Sequence, residues 1–144
     1  MKRSQEEAKR WLSQAQYDLE VAKRMLEQEI YSYSCFLCEQ AAQKALKAYL
    51  YFEGKRYVWE HSVQELAGIS REYDEKFEDI AEAGKILDRY YIPTRYPDAL
   101  APPAVPYKTY SEKDASQAVS LAEKIIRIVK GEVTPCLKHQ GELE

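Results

Sequence analysis

The chain has 144 residues, of which 45% are hydrophobic, so it can bury one core and is too short for two. Its formal net charge of −3 argues against a protein that holds nucleic acid through bulk positive charge, which leaves a local basic patch for that purpose. The N-terminus lacks an apolar segment, and charged residues interrupt every long apolar stretch. We therefore expect a cytoplasmic protein with neither a signal peptide nor a membrane span.

The first predicted helix begins at Ser4 and ends near Glu27. Ser4 and Glu7 match the S-x-x-E capping box, in which the two side chains accept hydrogen bonds from free amides of the first turn. Apolar residues then recur at alternating intervals of four and three residues, a pattern typical of a bundle-facing helix. The short connection through residues 28–32 predicts an antiparallel hairpin with the following helix.

The segment 31–54 predicts the central helix of the bundle. Apolar residues cover most of its circumference, so neighbouring elements must bury it on most sides. Its small alanine and cysteine residues allow those neighbours to approach closely, and Gly54 ends the helix. The polar strip that remains consists of Gln40, Gln43, Lys44 and Lys47.

Two further helices are predicted after the central one. A short aromatic connector, residues 55–61, precedes a second capping box formed by Ser62 and Glu65, which opens a short helix. Helical spacing resumes at Asp74 and ends before Pro93, because proline cannot continue a helix at that point.

A Pro-rich segment separates the fourth helix from the last one. The stretch from Ile92 to Tyr110 contains five of the six prolines, which makes a continuous helix or strand unfavourable there. Loops of this length are uncommon without a functional reason, so the loop is a candidate site. Ser111 and Asp114 cap the last helix, which is predicted to end at Gly131.

Together these elements predict an all-α fold, namely an up-down four-helix bundle with a short extra helix and a long Pro-rich loop before the last helix. The expected domain spans residues 1–131, and a flexible C-terminal tail follows at residues 132–144. No alternating apolar and polar run bounded by turn residues argues for a sheet.

Arg56 and His61 are the only close Arg/His pair in the sequence. Such a pair could cleave an RNA phosphodiester, with the imidazole moving the proton and the guanidinium stabilising the anionic oxygens. A histidine one residue before a helix cap is more often a local structural group, and we favour that interpretation.

Cys35 and Cys38, taken with Cys136 and His139, match the spacing of zinc ligands. The first pair lies within an apolar helix, whereas structural zinc takes its ligands from turns that fold around the ion. Buried thiols are therefore the favoured interpretation, and we expect no metal site and no cofactor.

Tyrosine occurs twelve times, and several tyrosines flank Arg89 and Arg95. Aromatic rings interleaved with guanidinium groups could stack on bases while the guanidinium groups hold phosphates. Alternatively, the rings lie at the margin of the bundle or in a dimer interface, with each hydroxyl in water. The second interpretation is the favoured one.

Three blocks of sequence resemble the HEPN domain, the higher eukaryote and prokaryote nucleotide-binding domain. They are CEQAAQKALKAYLYFEGK in the second helix, HSVQEL at the start of the third and LDRYYIPTRYPDA after the fourth. The resemblance extends to Gly131, and it implies a helical bundle that commonly forms homodimers. In prokaryotes it further implies a minimal nucleotidyltransferase partner, in a complex or a toxin-antitoxin pair.

The resemblance also bears on catalysis, since many members of the wider superfamily are ribonucleases with Arg-x4-6-His near the final helix. In this chain no histidine follows Arg89 or Arg95 until His139. The departure favours a nucleotide- or RNA-associated binding module over a metal-independent ribonuclease, and it assigns no catalytic residue. A dimeric helical interaction scaffold is a further alternative.

The RYPD block carries the site that the resemblance implies. The residues expected to bind a nucleotide or another anion are Arg89, Arg95, Tyr96, Asp98, Lys44 and Lys47. In the structural alternative, Arg95 and Asp98 pair with each other or across a dimer and thereby fix the Pro-rich loop.

Overall fold

The computed structural model describes the backbone of residues 2–141 and the side chains of residues 3–135. Within that range the chain forms helices and turns and contains no strand, so the predicted all-α bundle is confirmed. The α-helices are α1 (Lys2–Glu27), α2 (Tyr31–Phe52), α3 (Val63–Arg71), α4 (Ala81–Asp88), α5 (Pro106–Thr109) and α6 (Glu112–Gly141). Two 3₁₀ turns accompany them at Glu75–Ile80 and Pro97–Ala99.

Helix α2 is the central helix, as its pattern predicted. It packs against α1 and α6 along its length, while α3, α4 and α5 cover its remaining sides. Its alanines at 41, 42, 45 and 48 are fully buried, and because they are small the neighbouring helices approach closely. Ser34 adds a specific tie, since its hydroxyl donates a hydrogen bond of 2.8 Å to the Ala22 carbonyl of α1.

The predicted hairpin between α1 and α2 is present. Glu29 has a left-handed φ of 63°, and the Ile30 amide donates to the Met25 carbonyl at 2.8 Å. A left-handed residue followed by a hydrogen bond back into the last turn is how helices commonly stop. The chain therefore reverses direction within three residues.

The start of α3 is fixed by its own cap and by α4. Ser62 is the N-cap and accepts a hydrogen bond from the Glu65 amide, as predicted. The Asp88 carboxylate, at the end of α4, accepts from the Ser62 hydroxyl at 2.7 Å and from the Val63 amide at 2.6 Å. Asp88 thus satisfies first-turn donors of α3 from a different helix.

Three helix boundaries differ from the sequence-based expectation. Helix α1 begins at Lys2, so Ser4 lies inside the helix instead of capping it. The segment after Asp74 begins as a 3₁₀ turn, which contains the buried Phe77. The short helix α4 follows that turn.

Helix α6 continues through Gly131 to Gly141 instead of ending at Gly131. Glycine in a helix interior costs about 1 kcal/mol relative to alanine, which is too little to stop a helix when the next turn is anchored. Val133 supplies that anchor, because it is fully buried. The division into a domain and a flexible tail stays a prediction.

No helix in the described part of the chain is long and apolar enough to cross a membrane.

Candidate functional site

Arg95 occupies the tight turn that follows α4. Its Nε and Nη2 groups donate to the Tyr91 carbonyl at 3.1 and 2.5 Å, and its backbone amide donates to the Ile92 carbonyl. Buried Thr94 braces the same turn, since its hydroxyl donates to the Tyr90 carbonyl at 2.6 Å. The Arg95 side chain is therefore held in one orientation by the local backbone.

Three aromatic rings surround the Arg95 guanidinium. Its Cζ atom lies 4.0 Å from the ring centre of Phe36 on α2, 5.1 Å from that of Tyr96 and 5.5 Å from that of Tyr91. These cation–π contacts stabilise the charge without neutralising it. The guanidinium carries five N–H donors, and those not directed at the Tyr91 carbonyl have no acceptor in the described chain.

The alternative in which Arg95 pairs with Asp98 of the same chain is not seen among the described residues. Asp98 is exposed in the Pro97–Ala99 turn, and among the described residues no ion pair joins it to Arg95. Arg89, at the end of α4, is also exposed and has no carboxylate partner within the described chain. Both arginines therefore keep their charge available.

A buried polar network lies on the α2 face near Arg95. The fully buried Glu39 accepts from Gln40 at 2.7 Å and from Gln43 at 2.8 Å. Gln43 also donates to the His61 carbonyl at 2.9 Å, and its Oε1 lies 3.2 Å from His61 Nδ1. With the amide oriented this way, Nδ1 donates to Oε1, and Nε2 has no partner among the described residues.

Burial raises the pKa of Glu39 to about 7, and hydrogen bonds from Gln40 and Gln43 and the charge of Arg95 oppose that shift. The carboxyl is thus poised between its neutral and ionised forms near neutral pH. Glu39 therefore offsets only part of the positive charge of Arg95.

Lys44 and Lys47 were expected to extend the anion site, but both ammonium groups contact side chains of α1 instead. The Lys44 ammonium pairs with Asp18 of α1 at 2.6 Å, and Asp18 is nearly buried. Lys47 is 6% exposed, and its ammonium lies 5.5 Å from the ring centre of Trp11. Burial lowers the pKa of Lys47. Since both ammonium groups are already engaged, we leave them out of the site proposed below.

Cys35 and Cys38 are fully buried free thiols, as the helical pattern predicted. Burial raises the pKa of both, so they are protonated at neutral pH and are poor metal ligands. Within the described residues, no three His, Cys, Asp or Glu side chains group as a metal site. The side chains of Cys136 and His139 lie outside the described residues.

Sequence reasoning missed Glu39, Gln43 and Tyr91 as members of the site. Glu39 is the lone acid in an otherwise apolar helix face, which is a weak signal that it has a special partner. Tyr91 stacks on His61 with ring centres 6.1 Å apart, and Arg95 contacts the same Tyr91 ring. Tertiary folding joins these residues, so no local motif contains them.

These features define a class of protein: a small all-α bundle in which a hydrogen-bonded arginine precedes the last helix. The sequence model of the HEPN domain matches residues 8–132. The chain therefore belongs to the HEPN domain family, and the resemblance noted in its three blocks is confirmed.

Solved structures agree with that assignment. The crystal structure of TT1696 from Thermus thermophilus has a TM-score of 0.81 and 39% identity, over 87% of this chain and 97% of that one. ST0689, described as an archaeal HEPN homologue, has a TM-score of 0.73 and 34% identity, over 88% and 98%. An HEPN domain protein of Thermotoga maritima has a TM-score of 0.68 and 34% identity, over 87% and 98%.

One curated relative carries a functional name. It is a Methanocaldococcus jannaschii protein called "Putative toxin MJ1304", which is 28% identical over 131 residues. The match covers 85% of this chain and 86% of the relative.

Proposed function

We propose that this HEPN protein is a binding module for the phosphate of a nucleotide or an RNA, and that Arg95 makes the contact. The observation that carries the proposal is a half-buried guanidinium that the Tyr91 carbonyl and the Phe36 ring hold in place and that has no carboxylate partner within the described chain. An oriented arginine with free N–H groups binds phosphate with little loss of side-chain entropy. Exposed Arg89 and Tyr96 lie beside it in sequence and complete the site.

The proposed cellular role is toxin-like, in association with a minimal nucleotidyltransferase. The toxin name of the archaeal relative supports the first part, and the family resemblance implies the second. A small nucleotidyltransferase encoded beside this gene, and co-purification of the two proteins after joint expression, would support the association. Separate elution of two folded proteins at micromolar concentration would remove it.

Arg95→Ala tests the site when it is compared with Asp98→Ala. Loss of a charge-assisted hydrogen bond predicts that Arg95→Ala weakens mononucleotide binding by about 1.5 to 3 kcal/mol, measured by calorimetry. Asp98→Ala is the comparison. The sequence placed Asp98 in the site, but its carboxylate is exposed and forms no ion pair with Arg95 within the described chain, so we leave it out of the proposed site. This variant should bind at least as tightly as the wild type, since a negative charge near the ligand is removed.

Melting temperatures of the same variants separate binding from folding. If Arg95 is a structural partner of Asp98 across a dimer, both substitutions should lower the melting temperature and the double substitution should lower it no further. Unchanged binding with that shared loss of stability would reject the site and favour the scaffold alternative.

A metal-independent ribonuclease is the second candidate. No histidine follows Arg95 closely in the sequence, but the fold places His61 near it. His61 stacks on the Tyr91 ring that Arg95 also contacts, and its Nε2 has no partner in the described chain. In the reaction, Nε2 takes the proton of the 2′-hydroxyl, whose oxygen bonds to phosphorus. The bond from phosphorus to the 5′-oxygen breaks, and that oxygen takes a proton from water.

Such an activity would leave a 2′,3′-cyclic phosphate and would be lost in both His61→Ala and Arg95→Ala. Arg127→Ala is the control, because Arg127 is exposed on α6 and lies outside the stack that joins His61, Tyr91 and Arg95. Our expectation for the purified protein remains that it does not cleave RNA. Cyclic phosphate formation that depends on His61 and Arg95 would promote the enzyme over the binding module.

A further inference from the structure

The connector between α2 and α3 presents a row of exposed aromatic rings. Along it, Tyr57 is 65% exposed, Val58 is 6% exposed and Trp59 is 74% exposed, while His61 is again exposed. Alternation with a period of two is the pattern of an extended chain with one buried side. The outward side of this connector therefore carries three rings in succession.

The inward side of the connector anchors it to the bundle. Val58 is buried and belongs to the hydrophobic core of the bundle. Glu60 turns its Oε2 atom into the protein, where its charge acts on buried Lys47. Because these residues fix the backbone, the outward rings are preorganised rather than free.

The rings are arranged with their faces nearly parallel. The planes of Tyr57 and Trp59 differ by 12° at a centroid separation of 5.7 Å, and those of His61 and Tyr91 differ by 18° at 6.1 Å. Tyr91 in turn contacts the Arg95 guanidinium. His61, the last ring of the connector, thus stacks on the ring that contacts the arginine we propose as the phosphate contact.

The charges that accompany the row are basic. Lys55 and Arg56 begin the connector, and its one acid, Glu60, is directed inward. Arg56 is exposed and Lys55 is partly exposed. An apolar protein partner would not require cations beside the rings, whereas a nucleic acid strand requires them. Parallel aromatic faces combined with cations are the features that bind single strands, whose unpaired bases stack on the rings.

We infer that Tyr57, Trp59 and His61, continued by Tyr91, form a stacking platform that binds the bases of a single-stranded oligonucleotide whose phosphate contacts Arg95. The inference rests on the proposed function and deepens it by naming the ligand class. A duplex is excluded from the platform, because its bases already stack on each other.

The test measures binding of an oligouridylate of about eight nucleotides and of uridine monophosphate to variants of the full chain. Trp59→Ala and Tyr57→Ala should each weaken oligouridylate binding by about 5- to 100-fold and leave uridine monophosphate binding unchanged. Tyr17→Ala is the matched control, since Tyr17 is 64% exposed on α1, and it should change neither. The oligouridylate annealed to its complement should bind weakly, because its bases are already stacked in a duplex. Binding of an oligothymidylate of the same length measures whether the protein prefers RNA to DNA.

The outcomes separate the platform from the Arg95 site. If Arg95→Ala abolishes monophosphate binding while Tyr57→Ala and Trp59→Ala bind oligouridylate as the wild type does, the platform is wrong and the proposed function stands. If the ring variants lose oligouridylate while Arg95→Ala does not, the platform stands without the Arg95 contact. If Trp59→Ala converts a dimer to a monomer at constant oligouridylate affinity, the rings form an interface between copies and the platform is rejected.

Discussion

Glu39 is a buried carboxyl whose ionisation the nearby charge of Arg95 favours. It is buried against Gln40 and Gln43, and burial raises its pKa to about 7. The usual value in an unfolded chain is near 4.5. Between those values the folded protein binds a proton that the unfolded chain has lost, so ionisation of Glu39 opposes folding.

We therefore predict that the free energy of unfolding falls as pH rises from about 4.5 to about 7 and then levels off. Glu39→Gln should remove that part of the pH dependence and raise stability above pH 7 by on the order of 2 kcal/mol. Urea denaturation at several pH values measures both effects. Exposed Glu75→Gln is the control and should leave the profile unchanged. A Glu39→Gln profile parallel to that of the wild type would contradict the raised pKa.

At the scale of single residues, the sequence indicated Arg95 but not its surroundings. Arg95 stood out because it lies in a Pro-rich loop and in a block that resembles the family. Lys47 was expected to bind an anion because it lies on the polar strip of α2, whereas it is buried and its ammonium lies over the Trp11 ring of α1. Which side of a helix a partner covers depends on tertiary packing, and a single helix pattern does not contain that information.

At the scale of elements, α3 and α4 pack so closely at Gly84 that a side chain there would not fit. No other described glycine lies in such a contact. A Cβ atom at Gly84 would lie 2.8 Å from the Gln64 amide nitrogen and 2.9 Å from its Cα. These are backbone atoms, so the helices themselves would have to move. Glycine at position 84 is thus required by packing rather than by its φ angle.

Gly84→Ala should destabilise the protein by about 1 to 3 kcal/mol, because overpacking forces the two helices apart. Gly68→Ala is the matched control on α3, since a Cβ there meets nothing within 4 Å. It should stabilise the protein by about 0.5 to 1 kcal/mol through helix propensity. Thermal melting compares the two, and equal melting temperatures would contradict the close contact between α3 and α4.

The elements themselves were largely predictable, and the exceptions have physical causes. Long apolar stripes located α1, α2 and the start of α6, because burial dictates such stripes. The 3₁₀ turn at Glu75–Ile80 was not predicted, since periodicity alone does not distinguish it from the first turns of an α-helix. The capping of α3 by Asp88 was also not predicted, because its hydrogen-bond donors, Ser62 and Val63, are distant from it in sequence.

At the scale of the whole molecule, several large apolar side chains are exposed on the described surface. Those more than two-fifths exposed are Tyr17, Ile30, Tyr33, Tyr57, Trp59, Tyr73, Ile92, Tyr96 and Tyr107. We predict a homodimer that covers part of this set, because exposed apolar surface is commonly buried between copies of a chain. Sedimentation equilibrium at micromolar concentration should give twice the 16.8 kDa mass of the chain. A single monomeric species would defeat the prediction.

The central claim is that Arg95 contacts a phosphate, and the salt dependence of binding tests it most directly. Each phosphate that a cation neutralises on a single strand contributes about −0.7 to the slope of log Kobs against log salt concentration. The measurement is the affinity for oligouridylate at several salt concentrations, for the wild type and for Arg95→Ala. We predict that the substitution makes the slope shallower by about 0.7 and weakens binding at every salt concentration. Parallel lines with the wild-type slope would show that Arg95 neutralises no phosphate and would contradict the claim.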